Sequence, residues 1–239
     1  MNRNKYVEDF NCAMARLVDR LCIRVDVTKS MNGKEIRNCD VVDSSGEKVG
    51  RINDMTFTFD GTLKLSQFIL AGSKWEEFLE SAKIRPDEDP VLSASLITRI
   101  GDTVQLNTNV NSLKTTLDEG SIELDEIRWS DLSKMDIFDK DDVKVGRAVD
   151  VDFDTDGKAS LIVGGGLVEE TLESVGLKSD VDILVPSGHI TAIRGKIILS
   201  VSKDDLQLTM DKALENPEVR KAKALPADKR AAVKVRLYY

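Results

Sequence analysis

Histidine occurs once, at position 189, cysteine three times, and aromatic residues make up only 5% of the 239 residues. Each scarcity removes a class of chemistry. A serine triad would have to use His189, and no G-x-S-x-G elbow exists to present a nucleophile. Structural zinc needs four ligands at characteristic spacings; Cys12, Cys22 and Cys39 all lie in the first 40 residues without a C-x-x-C pair. An odd cysteine count with no signal peptide reads as reduced thiols, so a cytoplasmic location is expected. No apolar run approaches the ~20 residues of a membrane helix; the longest, 161–168, holds three glycines. Neither G-x-G-x-x-G nor G-x-x-x-x-G-K-[ST] is present, so Gly164-Gly165-Gly166 reads as a strand end or bulge. Few aromatics on an acidic body leave no stacking platform for single strands, and no direct nucleic-acid contact is expected.

What the chain does contain is a stretch written twice. Asp40, Asp43, Lys48, Val49, Gly50, Arg51, Asp54, Phe57, Asp60 and Gly61 return 96 positions later as Asp136, Asp139, Lys144, Val145, Gly146, Arg147, Asp150, Phe153, Asp156 and Gly157. Ten identities in 22 ungapped positions compare with roughly one expected at average residue usage. Later strands correspond at offsets of 93 to 94: Ile97, Thr98, Ile100 and Gly101 match Ile190, Thr191, Ile193 and Gly195. A duplication is read before any single residue. It gives four expected regions: a helical leader over 1–32, β units over 33–120 and 126–211, and a basic tail over 212–239.

Within each unit, period-two alternation predicts strands with one face inward and one in water. Met55, Phe57 and Phe59 alternate with Asp54, Thr56 and Thr58; Val149, Val151 and Phe153 alternate with Asp150, Asp152 and Asp154. Asp60-Gly61 and Asp156-Gly157 are placed as tight hairpin turns, and Ser45-Gly46 as an earlier one. Excursions are expected near 75–90 and 167–182. Asn109 and Ser202 carry helix-cap signals before Leu113 and Leu117, and before Leu206 and Met210. The fold class is therefore mainly β: two small antiparallel barrels in tandem, with an N-terminal amphipathic helix and a short helix after each barrel.

Two segments are candidates for partner binding. Val7, Phe10, Met14, Leu17 and Leu21 form an apolar helical stripe, which either packs on its own barrel or meets a second chain. The net charge is −8, yet Arg220, Lys221, Lys223, Lys229, Arg230, Lys234 and Arg236 face one acid in the last 20 residues, a local +6 on a body of −14. The alternation of Val233, Val235 and Leu237 with Lys234 and Arg236 fits an edge strand; a frayed end is the alternative. Trp75 and Trp129 anchor either a partner or the packing between repeats.

Asp152-x-Asp154-x-Asp156-Gly157 matches the start of a calcium loop, but position twelve is Val163 rather than a bidentate glutamate. The carboxylates are placed as solvent-facing groups flanking a turn. Gly50, Asp54, Asp60, Gly61, Gly146, Asp150, Asp156 and Gly157 are assigned to the turns that define the fold. Comparing the copies leaves no shared nucleophile, base and oxyanion donor set, so neither catalysis nor a cofactor is expected.

Residues 130–157, from Ser130-Asp131-Leu132 through Val145-Gly146-Arg147 to Asp156-Gly157, resemble the PRC-barrel family, and Ile183-Leu184-Val185-Pro186 with Ile190 and Ile193 is similar to its second half. Residues 38–61 and 91–106 repeat the likeness without the Ser-Asp-Leu opening. The resemblance implies a barrel used as a docking surface, with no common catalytic residue. Such barrels occur in photosynthetic reaction-centre H subunits, in ribosome-maturation factors and in archaeal cell-division scaffolds, and tandem soluble barrels fit the last best. The expected partner is then a protein: a division-ring component, a second copy, or a small-subunit ribosomal protein. An acidic ion-binding module is a further alternative.

Overall fold

The computed structural model describes residues 26–27, 29–82, 91–110, 112, 122, 125–174, 176, 181–217, 219, 221 and 233–237. The leader stripe of Val7, Phe10, Met14, Leu17 and Leu21 lies outside them, as do Cys12, Cys22, Leu113, Leu117, Arg220, Lys223, Lys229 and Arg230.

After β1 (Asp26–Val27), repeat one comprises β2 (Met31–Asn32), α1 (Gly33–Ile36), β3 (Asp40–Val42), β4 (Lys48–Phe59), β5 (Leu63–Ala71), α2 (Ser73–Ala82), β6 (Val91–Ser93), a 3-10 turn at Ala94–Leu96, β7 (Ile97–Ile100) and β8 (Thr103–Leu106). Repeat two runs in the same order. It comprises β9 (Ile127–Arg128), α3 (Trp129–Leu132), β10 (Asp136–Phe138), β11 (Lys144–Phe153), β12 (Ala159–Gly164), α4 (Gly166–Ser174), β13 (Val181–Pro186), a 3-10 turn at Ser187–His189, β14 (Ile190–Ile193), β15 (Ile197–Leu199) and α5 (Lys203–Leu214). A final strand, β16 (Val233–Arg236), follows.

The strands make two sheets, ordered β1-β7-β8-β3-β4-β5-β6 and β14-β15-β10-β11-β12-β13-β16. Two expectations are corrected here. The sheets are open paths, not closed barrels, and they are mixed rather than antiparallel: β3 runs parallel to β8, and β10 to β15. Alternation specifies which residues share a face, but not which strand meets which. The tail is settled as an edge strand, since β16 pairs in parallel with β13 from Val181↔Val233 to Leu184↔Arg236. Its Val235 and the following Leu237 are buried. The excursions contain the helices α2 and α4, and Gly164 ends β12 before Gly165 and Gly166 at positive φ.

Two repeated aspartates brace each unit. Asp43 Oδ1 accepts the N–H of Ser45 at 2.8 Å and of Glu47 at 2.9 Å, while Oδ2 accepts Val110 N–H at 3.1 Å. Asp139 repeats this with Asp141, Val143 and Lys203 at 2.9, 2.8 and 2.8 Å. One buried carboxylate thus closes the β3–β4 or β10–β11 hairpin and also caps the segment after the last strand. The glycine of the first hairpin, Gly46, sits at φ +86°, and its counterpart Asp142 at +63°. Asp142 pairs there with Lys196. At the next hairpins only the glycine turns left-handed, Gly61 at +97° and Gly157 at +75°. In repeat two, the Asp154–Lys158 and Gly157–Asp154 backbone bonds mark a three-residue loop with a bulge, not the two-residue turn of Asp-Gly.

Hydrogen bonding from the Ser45 hydroxyl, and then from the Val110, Glu47 and Ser45 amides, outweighs burial and holds Asp43 down to about 2. Burial pushes Asp139 upward, but its three backbone donors leave it below the ordinary value as well. A carboxyl whose folded pKa is depressed adds stability above its unfolded pKa, and that stability disappears as pH falls toward the folded value. Thermal stability should therefore drop between pH 4 and pH 2, and Asp43→Asn should flatten this drop. An acid melting series checks both; an unchanged slope in Asp43→Asn would contradict the assignment.

Gly50 and Gly146, assigned to turns from the sequence, lie inside β4 and β11. A Cβ on Gly146 would stand 2.9 Å from Gly164 O, and one on Gly50 3.1 Å from Trp75 Cβ. The first allows β12 to approach closely; the second seats α2. Asp54 and Asp150 are also strand residues rather than turn residues. At the other end of repeat two, Ser202 caps α5, accepting Asp205 N–H at 3.2 Å, and Leu206, Met210 and Leu214 pack inward.

Candidate functional site: the repeat junction

The two repeats exchange their first strands. β2, which opens repeat one, pairs with β11 of repeat two through Asn32↔Asp152 and Met31↔Phe153. Reciprocally, β9 of repeat two pairs with β4 of repeat one through Arg128↔Thr56 and Ile127↔Phe57. Every one of these pairs maps onto the other at the offset of 96, so the junction has a pseudo-two-fold axis. Phe57 and Phe153, equivalent residues, stack across it with centroids 6.0 Å apart and planes 14° apart. The apolar core is continuous through both repeats.

This exchange overturns the expectation of one wet face. Asp54, Thr56, Asp150 and Asp152 are 6, 0, 3 and 0% exposed, because the outer face of each long strand is covered by the other repeat's leader. Alternation is also interrupted by a register shift between Ala148 and Asp150. It turns Ala148 inward and leaves Val149 only half-buried.

Trp129, at the start of α3, is buried and donates its indole N–H to Asp150 Oδ1 at 2.7 Å. The same oxygen accepts Val151 N–H at 2.7 Å, and Oδ2 accepts Lys34 N–H from repeat one at 3.2 Å. Burial nevertheless raises the Asp150 carboxyl above its ordinary value, the direction set by desolvation of an anion. Arg37 lies 5.4 Å over the Trp129 ring and donates to Asn53 O at 2.7 Å. Trp75 is buried as well, so neither tryptophan is an exposed anchor.

A charged cluster closes the second sheet at the same junction. Asp152, its side chain 1% exposed, is held by Lys234 from β16 and accepts Ser30 Oγ–H at 3.2 Å. Lys234 Nζ also donates to Ser30 Oγ at 2.9 Å. Arg236 reaches Asp154 at 3.0 Å. Burial pushes the Asp154 carboxyl up, but the Lys158 amide and Arg236 more than offset it, so it lies low. Asp182 on β13 is raised, first by burial. Of the basic tail candidates, Lys234 and Arg236 are thus internal ion-pair partners, whereas Lys221 is exposed.

Asp152, Asp154 and Asp156, the candidate calcium ligands, are each engaged: the first two as above, Asp156 by Lys158 at 3.8 Å. Only Asp156 keeps the solvent-facing position expected of all three. No group of three acid, cysteine or histidine side chains is disposed to hold a metal among the described residues. Adding 5 mM calcium should leave the melting temperature within 1 °C of the metal-free value; a rise of several degrees would restore the ion-binding reading.

A groove of about 960 Å³ lies between the β4–β5 and β11–β12 hairpins, lined by Ser66, Phe153, Lys158, Pro186, His189 and Arg236 among others. His189 sits half-buried on the 3-10 turn and offers its carbonyl to Ser200 N–H at 2.8 Å. Two sheet edges differ between the repeats. Among the described residues, β13 is covered by β16 whereas its counterpart β6 has no outer strand, and β7 is covered by β1 whereas β14 has none.

Gly33, Ser30, Asp43 and Asp139 were not singled out as site residues from the sequence. Asp43 and Asp139 stand among the ten identities, which was their signal. Gly33 had only its offset from Trp129. No helix among the described residues is long and apolar enough to cross a membrane. No curated protein matches the chain. The profile of the PRC-barrel domain matches residues 29–89 and 124–206, most of both repeats with their exchanged strands. The chain belongs to the PRC-barrel domain family.

Proposed function

We propose that this protein is a non-catalytic docking protein, two PRC-barrel units locked into a pseudo-dimer that binds protein partners by strand addition at β6 and β14. The observation that carries the reading is the pair of unmatched edges. Where one repeat covers an edge with β16 or β1, the other has no outer strand among the described residues, and its edge can offer backbone N–H and C=O groups to a partner strand. Among partners, the resemblance to tandem barrels of archaeal division scaffolds puts a division-ring protein in the cytoplasm first. A small-subunit ribosomal protein is the alternative.

Affinity purification from native cells, with mass spectrometry, tests this with three forms: the intact chain, Ser93→Lys on β6 and Ala192→Lys on β14. A lysine on an edge discourages strand addition without disturbing the core. Loss of the captured protein in either variant, at an unchanged melting temperature, supports docking at that edge. Capture unaffected by both variants would remove the edges from the account. Recovery of small-subunit precursors alone would replace the division partner with the ribosomal one.

A further inference from the structure

The junction is nearly two-fold symmetric, yet the two residues that meet near its centre are as unlike as residues can be. Position 33 is glycine and its equivalent, position 129, is tryptophan. The two are in direct apposition: a Cβ built on Gly33 would stand 2.3 Å from Trp129 Nε1 and 2.5 Å from Asp150 Oδ1. Trp129 cannot yield, because it is buried and its indole is tied to Asp150.

We infer that Trp129 and Gly33 form a knob and hole that lets each repeat accept only the unlike repeat at this junction, so that the surface exposed by separating the repeats fits a glycine-bearing partner and rejects a second copy of repeat two. The residues paired along the exchanged strands do not discriminate in this way. If two copies of repeat two met about the same axis, Arg128 would lie opposite Asp152 in place of Asn32, a pairing of opposite charges that favours the contact. Ile127 would lie opposite Phe153, as Met31 does now. The paired strand residues thus permit like-with-like assembly. The large ring forbids it, since two indoles would compete for one volume, and Glu126, the counterpart of Ser30, would add a second carboxylate beside buried Asp152. Two copies of repeat one would instead bring two glycines together and leave the ring's volume empty. Specificity here rests on a repulsive element as well as an attractive one.

The repeat symmetry supplies a built-in test. Asp54 is the counterpart of Asp150, is buried, and holds its own Met55 amide at 2.9 Å as Asp150 holds Val151. Asp54 has no indole donor. A tryptophan at position 33 would find that acceptor waiting, provided position 129 has become glycine. In the full-length chain, Gly33→Trp and Trp129→Gly should each lower the melting temperature by 10 °C or more. The double variant should recover at least half of the summed loss. Asp150→Ala should destabilise the natural chain more than Asp54→Ala does, and this order should reverse in the double variant. Where a single variant does not fold, Gly33→Ala and Trp129→Ala replace it for the sum. A double variant no better than the sum of its singles, or an aspartate order that does not reverse, would overturn the inference.

Discussion

Gly33→Ala should lower the stability of the folded chain by roughly 3 kcal/mol, although the change adds one methyl group on a four-residue helix. Overpacking a fixed core typically costs about 1–3 kcal/mol, and the added Cβ would meet the Trp129 ring and the Asp150 carboxylate, neither able to move independently. Displacing the indole also strips a donor from a buried carboxylate, worth about 1–3 kcal/mol. For a chain of this length the melting temperature should fall by about 10 °C. Alanine is otherwise favoured over glycine in helices, so propensity alone predicts the opposite sign. A stability gain in Gly33→Ala would show that the repeats do not meet at this residue.

Lys234→Met should be nearly as damaging, through a different cause. Asp152 is fully buried, and its positive partner comes from β16, more than 80 residues later in the chain. Removing one member of a buried ion pair costs about 3–5 kcal/mol where the remaining charge loses its compensation; here Arg236 Nη2, 4.0 Å from Asp152, retains part of it. Lys234 is a quarter exposed, which places the loss near the lower limit, roughly 3 kcal/mol. Repeat one shows how the penalty is avoided: Thr56 takes the place of Asp152 there, and no strand covers β6 among the described residues. Asp152→Thr combined with Lys234→Met should therefore be more stable than Lys234→Met alone. Denaturant unfolding of the four forms gives the coupling directly. Additive losses would mean that Lys234 contributes by packing rather than by charge.

Much of the fold could be read from the sequence because duplication repeats local signals. The strand positions, the cap at Ser202, the glycines of the β4–β5 and β11–β12 hairpins and the strand end at Gly164 all depend on neighbours within a few residues. What could not be read depends on partners far apart in the chain. Alternation at 54–59 and 149–154 describes a strand with one wet face, and it holds until another segment covers that face. The covering segments, Met31–Asn32 and Ile127–Arg128, are two residues long each and carry no periodicity of their own. For the same reason Asp150 and Asp152 read as surface acids, while their buried roles rest on Trp129, Lys34 and Lys234. The parallel pairing of β3 with β8 and the open sheet paths are likewise long-range facts. Gly33 is the plainest case: only its place opposite Trp129 gives it meaning.

Hydrogen exchange of the Met31 and Ile127 amides in the full-length chain probes the strand exchange most directly, since the Asn32 amide is taken by the Glu35 carboxylate. If each leader is hydrogen-bonded into the opposite sheet, these two amides exchange as slowly as their neighbours in β4 and β11, and both lose protection together in Gly33→Ala. Exchange at the rate of an open loop at either amide, with β4 and β11 still protected, would mean that the repeats stand as separate units.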